Sequence, residues 1–392
     1  MRQTLAAGDD LPRAQHDRQP DLVVRAGSPA ALLRLIPHLL GFVPETSLIV
    51  IGVAPPRDRI RVTLRYDLPD PPETDLAADV AAHAVGVLSA QRLTAAVAVG
   101  YGPEALVTPV ATRLREAAWQ AEIDLHEFLR VQDGRYWSYV CANQKCCPAE
   151  GAPFDTAAAD PAEAAALARV GDRVLASRAA VAAGVAPLGG IAAESMRQAT
   201  RRAEQHIARL LAKVRKSARL GAARHMIAAE GLAAVGAMIA RYRGGGRFTT
   251  GYEVARITVA LRDLRVRDDA WARMDPAHSG AHQRLWTDVV QRAQPGYVAA
   301  SAALLAFVAW QSGDGALANV ALDRALADDP RYSMALLLRQ VITAGAPPSL
   351  ARLPMTPEEV AASYDEAEHD HDEDGDHDLD MDDQDPDMDD AD

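Results

Sequence analysis

Apolar residues follow three different rhythms between Leu22 and Asp67. After a short run, Leu22-Val23-Val24, the residues Leu32, Leu33, Leu35, Ile36, Leu39 and Leu40 recur at helical spacing. Ser47 to Val53 is then apolar almost without a break, which predicts a strand covered on both faces, and Arg59 to Tyr66 alternates, which predicts a strand with one wet face. Ser28 before Pro29 starts the helix, since the hydroxyl caps free N–H groups and proline at the first position has none to satisfy; Gly41 stops it. Pro37, inside the pattern, is expected to kink the helix or end its first half.

The alternation of helix and strand continues to about Gly151. An Ala-rich helix is expected over Asp75–Leu88, a buried strand over Thr94–Gly100 and a helix from Pro103-Glu104 to about Trp119. Ile123–Val131 and Arg135–Val140 read as a hairpin turning at Asp133-Gly134. Such alternation implies a largely parallel sheet with antiparallel pairs where connections are short, and places ligands in the loops after Val53 and Val99. Neither loop has a phosphate-cradling glycine pattern. After a linker at 152–161 the rhythm is helical only, over 162–183, 193–220, 222–242, 251–264, 271–290 and 298–344. The expected fold class is thus an α/β N-terminal domain (21–151, mixed sheet with packed helices) followed by an all-α helical domain (162–348). Its end is tetratricopeptide-like: Leu304, Leu305, Val308 and Trp310 precede a turn at Gly313-Asp314-Gly315, small Ala318, Ala321 and Ala325 follow, then Asp329-Pro330. One such unit equally fits the end of a helical bundle.

Pro29-Ala30-Ala31-Leu32-Leu33, the stretch Leu39 to Gly52, Cys146 to Gly151 and Gly315 to Leu322 together resemble an actinobacterial family catalogued as domain of unknown function 4192. The resemblance runs from about Leu22 to Pro348 and brings boundaries but no activity.

Composition changes this picture at the ends. The chain has 392 residues and a formal net charge of −13, but Asp365–Asp392 holds seventeen of its 54 acids and none of its 41 bases. The remainder is mildly basic. Residues 1–20 and 349–392 are expected to be a disordered leader and a disordered acidic tail. No apolar run reaches membrane-spanning length and no secretory leader is seen, so a cytoplasmic protein without membrane contact is expected.

Candidate chemistry lies in two places. Cys141, Cys146 and Cys147 follow the hairpin, with Tyr101, Glu104 and His126 as possible companions around the α/β loops. Thiolates ligate zinc, but structural zinc takes four ligands, usually in paired spacings, so three cysteines predict less than one equivalent; no cofactor is expected. A nucleophilic cysteine with His126 or His38 as base is the enzyme alternative. The second place is a helix whose outer face carries Arg197, Arg201, Arg202, Arg209, Lys213, Arg215, Lys216 and Arg219. Such a face suits phosphate backbones without sequence reading, the nucleic-acid alternative, or is simply solvated. Asp370-x-Asp372-x-Asp374-Gly375-Asp376-x-Asp378 imitates a calcium loop, but Met381 stands where the bidentate glutamate belongs. The preferred reading is a binding or scaffold protein whose helical domain contacts a protein partner.

Overall fold

The computed structural model describes residues 28–55, 59–68, 74–156, 161–170, 174–215, 220–350 and 355–375. The leader, Lys216 and Arg219, and the acidic end from Asp376 lie outside them.

Helix α1 (Pro29–Leu40) starts at Ser28, whose hydroxyl accepts the Ala31 N–H, and ends at Gly41 with φ 75°. It continues through Pro37 instead of ending there. Strands β1 (Ser47–Ala54) and β2 (Arg59–Asp67) pair antiparallel; α2 (Thr74–Ala90), β3 (Ala95–Tyr101), α3 (Glu104–Gln120) and β4 (Asp124–Gln132) follow. The hairpin to β5 (Arg135–Ser138) turns through Asp133 and Gly134, both at positive φ, as a primed turn requires.

With β6 (Ala152–Pro153) at the edge, the sheet order is β2-β1-β3-β4-β5-β6, and among the described residues β3 with β4 is the one parallel pair of neighbouring strands. This corrects the expectation of a largely parallel sheet. Strands β2, β3 and β4 do run in one direction with helical crossovers between them, but β1 lies antiparallel between β2 and β3. The crossover α2 therefore spans a strand that the sequence rhythm cannot place. It also puts the loop after β1 at the opposite end of the sheet from Gly102–Glu104, so the two expected ligand loops are separate.

Both faces of β1 are covered. Ile49, Ile51 and Val53 pack with Leu32, Leu33 and Ile36 of α1, while Leu48 and Val50 pack with α2 and α3. Each such side chain, fully buried, contributes about 1.5–3 kcal/mol relative to exposure.

Ala152–Pro153, expected as linker, form β6 on the edge of β5. Helix α4 (Pro161–Val170) packs on α1 through a bidentate Arg34–Glu163 pair at 2.9 Å. Phe42 pairs with Leu175 in a parallel bridge and joins the core of the helices that follow: α5 (Arg178–Ala183), α6 (Gly190–Arg215), α7 (Leu220–Arg243), α8 (Gly251–Ala260), α9 (Leu264–Ala272), α10 (Ser279–Arg292), α11 (Val298–Gln311), α12 (Gly315–Asp328) and α13 (Ser333–Thr343). Every residue of α11 from Val298 to Trp310 is buried, as its all-round apolar surface demands. Fully buried Ala318, Ala321 and Ala325 on α12 let the two helices approach closely.

A last helix, α14 (Pro357–Gly375), corrects the expectation that the acidic segment lacks structure from residue 349. Val360 is buried, Tyr364 donates to Asp268 at 2.7 Å and Asp365 pairs with Arg265 at 2.8 Å, so specific contacts with α9 outweigh composition. The first residues of the calcium-loop pattern, Asp370 to Gly375, are helical in backbone and so not in the conformation of a calcium loop.

Candidate functional site

The candidates in the α/β part divide into three groups. At the carboxyl end of β3, the Tyr101 hydroxyl is buried and, among the described residues, without a hydrogen-bond partner; burial raises its pKa. Glu104 opens α3 and lies 3.9 Å from the buried guanidinium of Arg130, which stacks 3.7 Å from the Trp137 ring and donates to Gln132. His126 sits where the β3–β4 register shifts, near the other end of the sheet, exposed and 3.3 Å from Asp124. The separation places His126 away from Tyr101 and Glu104.

The three cysteines do meet. Their sulfurs all lie within 4.8 Å of one another, with Cys141 and Cys146 at 3.3 Å, and no histidine, aspartate or glutamate among the described residues joins the set. The Asn143 N–H, directed at the Cys141 sulfur, lowers that thiol's pKa, whereas burial and the two neighbouring thiols push Cys147 up to about 12.

On α6 the basic face is partly neutralised within the fold. Arg197 and Arg201 pair with Glu194, Arg202 lies over the Tyr252 ring at 5.0 Å, and Arg209 donates to the Gln205 carbonyl one turn back. Lys213 is exposed and the Arg215 backbone ends the helix.

The pocket that sequence reading missed lies beneath this face, between α6, α7, α8 and the start of α9. It has a volume of about 440 Å³. Its apolar wall comes from Ile207, Leu211, Ile227, Ala234, Val259 and Val266. Gly231 makes the floor, because a Cβ there would stand 2.9 Å from Val266 and 3.0 Å from Ala260, so α7 could not approach α8 so closely. The rim is polar: His206 and Arg256 converge on Glu230 at 2.8 and 3.8 Å, and Tyr297 donates to Glu204 at 2.5 Å with Arg262 above its ring. The acids of this rim are all engaged: Glu230 by His206 and Arg256, Glu204 by the Tyr297 hydroxyl and Asp263 by the Arg265 N–H. Arg256 and Arg262 are the arginines of the lining, while Arg202, Arg209 and Lys213 lie on the other side of α6. Volume, apolar wall and a few convergent polar groups are the usual marks of a binding site. A sequence signal existed in the short side chains Ala203, Ala208, Gly231, Ala234 and Ala260, which cannot fill the space between the helices. Nothing in the spacing said that they would face one another.

The family model described as "Domain of unknown function (DUF4192)" matches residues 29–349. No curated protein and no solved structure matches the chain.

Proposed function

This chain belongs to the DUF4192 family, and from its geometry we propose that it is a binding protein whose helical domain takes an acidic segment of a partner protein, anchored by apolar side chains in the α6–α9 pocket. The observation that carries this reading is the joining of an apolar wall to two arginines, Arg256 and Arg262, in one 440 Å³ depression. Apolar anchors in such a wall supply affinity, and Arg256 and Arg262 steer acidic partners by attraction.

Ala234→Trp, on the wall contributed by α7, fills the pocket while sparing the charged rim. Affinity purification from the native cell, with full-length protein and with this variant, is expected to recover a partner that the variant loses. A synthetic peptide covering that partner's acidic segment is then expected to bind the unaltered protein directly, with affinity falling as salt rises. Identical partner sets from both proteins, or a partner whose binding does not change with salt, would overturn the reading.

A further inference from the structure

The loop from Tyr139 to Gly151 is held by a dense set of hydrogen bonds that all serve to bring three sulfurs together. Ser138 at the end of β5 accepts the N–H groups of Val140 and Cys141 at 3.1 and 2.8 Å and donates to Glu127 at 2.7 Å. Asn143 closes the turn: its carbonyl accepts the N–H groups of Cys146 and Cys147 at 3.1 and 2.8 Å, and its side chain accepts the Lys145 N–H at 3.0 Å. The far end is fixed by Trp137, whose indole donates to the Ala149 carbonyl at 3.0 Å and whose ring lies where a Cβ on Gly151 would be, 2.5 Å away. Gly151 also has φ 80°, so two independent constraints demand glycine there.

Within this frame the three sulfurs lie within 4.8 Å of one another, Cys141 and Cys146 at 3.3 Å, and all three thiols are free. Four bonds of about 2.3 Å around a tetrahedral zinc ion put sulfurs roughly 3.8 Å apart, inside the 4.8 Å limit within which these sulfurs fall. The N–H of Asn143, two residues beyond Cys141, points at the Cys141 sulfur and would offset part of its charge as a thiolate. Vicinal Cys146 and Cys147 are held by the Asn143 carbonyl, which accepts both their N–H groups, and their sulfurs fall in one cluster with Cys141.

We propose that Cys141, Cys146 and Cys147 form a binding site for one thiophilic divalent cation of the zinc type, with three thiolates as ligands and the fourth tetrahedral position open to solvent or an incoming donor. Binding converts three thiols to thiolates and releases three protons, so three thiolates and a dication carry a net charge of −1 and the affinity falls in acid. Cys146 is exposed and Cys141 and Cys147 are half-buried, so the ion has a path in from solvent. The proposal is independent of the helical pocket.

The test uses full-length protein purified under reducing conditions without chelator. Zinc is expected at one equivalent per chain by elemental analysis. Anaerobic reconstitution of the metal-free protein with Co²⁺ is expected to give thiolate-to-cobalt charge-transfer absorption and tetrahedral ligand-field bands, saturating at one equivalent and lost on adding Zn²⁺. Cys141→Ser, Cys146→Ser and Cys147→Ser are each expected to weaken cobalt binding roughly a hundredfold. His126→Ala, beside Asp124 and outside the set, leaves it unchanged. Far-ultraviolet circular dichroism of the serine variants separates loss of a ligand from loss of fold. Zinc is also expected to protect the three cysteines of the unaltered chain from alkylation, which needs no variant. Absence of zinc and of the cobalt bands in the unaltered protein, cobalt binding unchanged in Cys147→Ser, or alkylation at the same rate with and without zinc would each overturn the assignment.

Discussion

His282 in α10 has both ring nitrogens buried and, among the described residues, without hydrogen-bond partners. Burial, then the nearby Arg243, hold its pKa down at about 4, against the opposing pull of Asp275, with His278 adding a further small repulsion. The ring is therefore neutral in the folded chain at pH values where the unfolded chain, titrating near 6.5, is protonated. Since the unfolded state then binds the extra proton, this contribution to stability is complete above about pH 6.5 and is lost as pH falls from 6.5 towards 4. The unaltered protein is expected to lose up to about 2 kcal/mol between pH 7 and pH 5 from this residue alone. His282→Leu removes the titration, so urea unfolding at the two pH values should show a smaller difference in the variant. An equal difference in both proteins would assign the acid sensitivity elsewhere. Single residues of this kind were not legible in the sequence, because nothing around His282 marks it as one of the most buried side chains of α10.

At the scale of elements, the strongest signals were those whose cause is local. The α1 boundaries followed from Ser28 and Gly41, the β4–β5 turn from Asp133-Gly134, and β1 from its unbroken apolar run. What stayed hidden depends on which elements meet. The insertion of β1 between β2 and β3 leaves every local rhythm intact, and α14 docks through Val360, Tyr364 and Asp365, three residues submerged in an acidic average. The junction of α7 and α10 is another such case. Asp288, almost fully buried on α10, accepts from Tyr242 at 2.6 Å, from Arg247 at 2.5 to 3.0 Å and from Arg292 at 3.3 Å. It thus ties the end of α7 and the following turn to α10. Asp288→Asn removes the charge that three donors converge on and is expected to cost about 2–3 kcal/mol in urea unfolding. That is below the figure for a wholly buried pair, because Arg247 reaches solvent. A loss under about 0.5 kcal/mol would mean that solvent already screens the whole network.

Over the whole molecule, the helices that form the pocket also set where the acidic end of the chain leaves the fold. Glu358 lies towards Arg273 at the end of α9, and Asp365 pairs with Arg265 near its start, so α14 runs antiparallel to α9. Ten further helical residues carry the backbone about 15 Å past the start of α9, the end bordered by Arg262, Asp263 and Val266 of the pocket. Residues 376–392 that follow contain ten aspartates, no lysine or arginine, and the apolar side chains Leu379, Met381 and Met388. That chemistry, acidic with isolated apolar anchors, is the chemistry proposed for the partner, which makes this segment a defined probe for the pocket. The candidate cysteines were legible as a group and the basic face as a composition, but the pocket beneath that face needed α6, α7, α8 and the start of α9 to be placed before it existed. The most direct measurement is fluorescence anisotropy of a labelled peptide of residues 376–392, titrated at low ionic strength with chain ending at Gly375 and with its Ala234→Trp and Arg256→Glu variants. Saturable binding to the unaltered chain, at least tenfold weaker in both variants and weakened by added salt, is the predicted result; no binding, or equal binding to all three proteins, would contradict it.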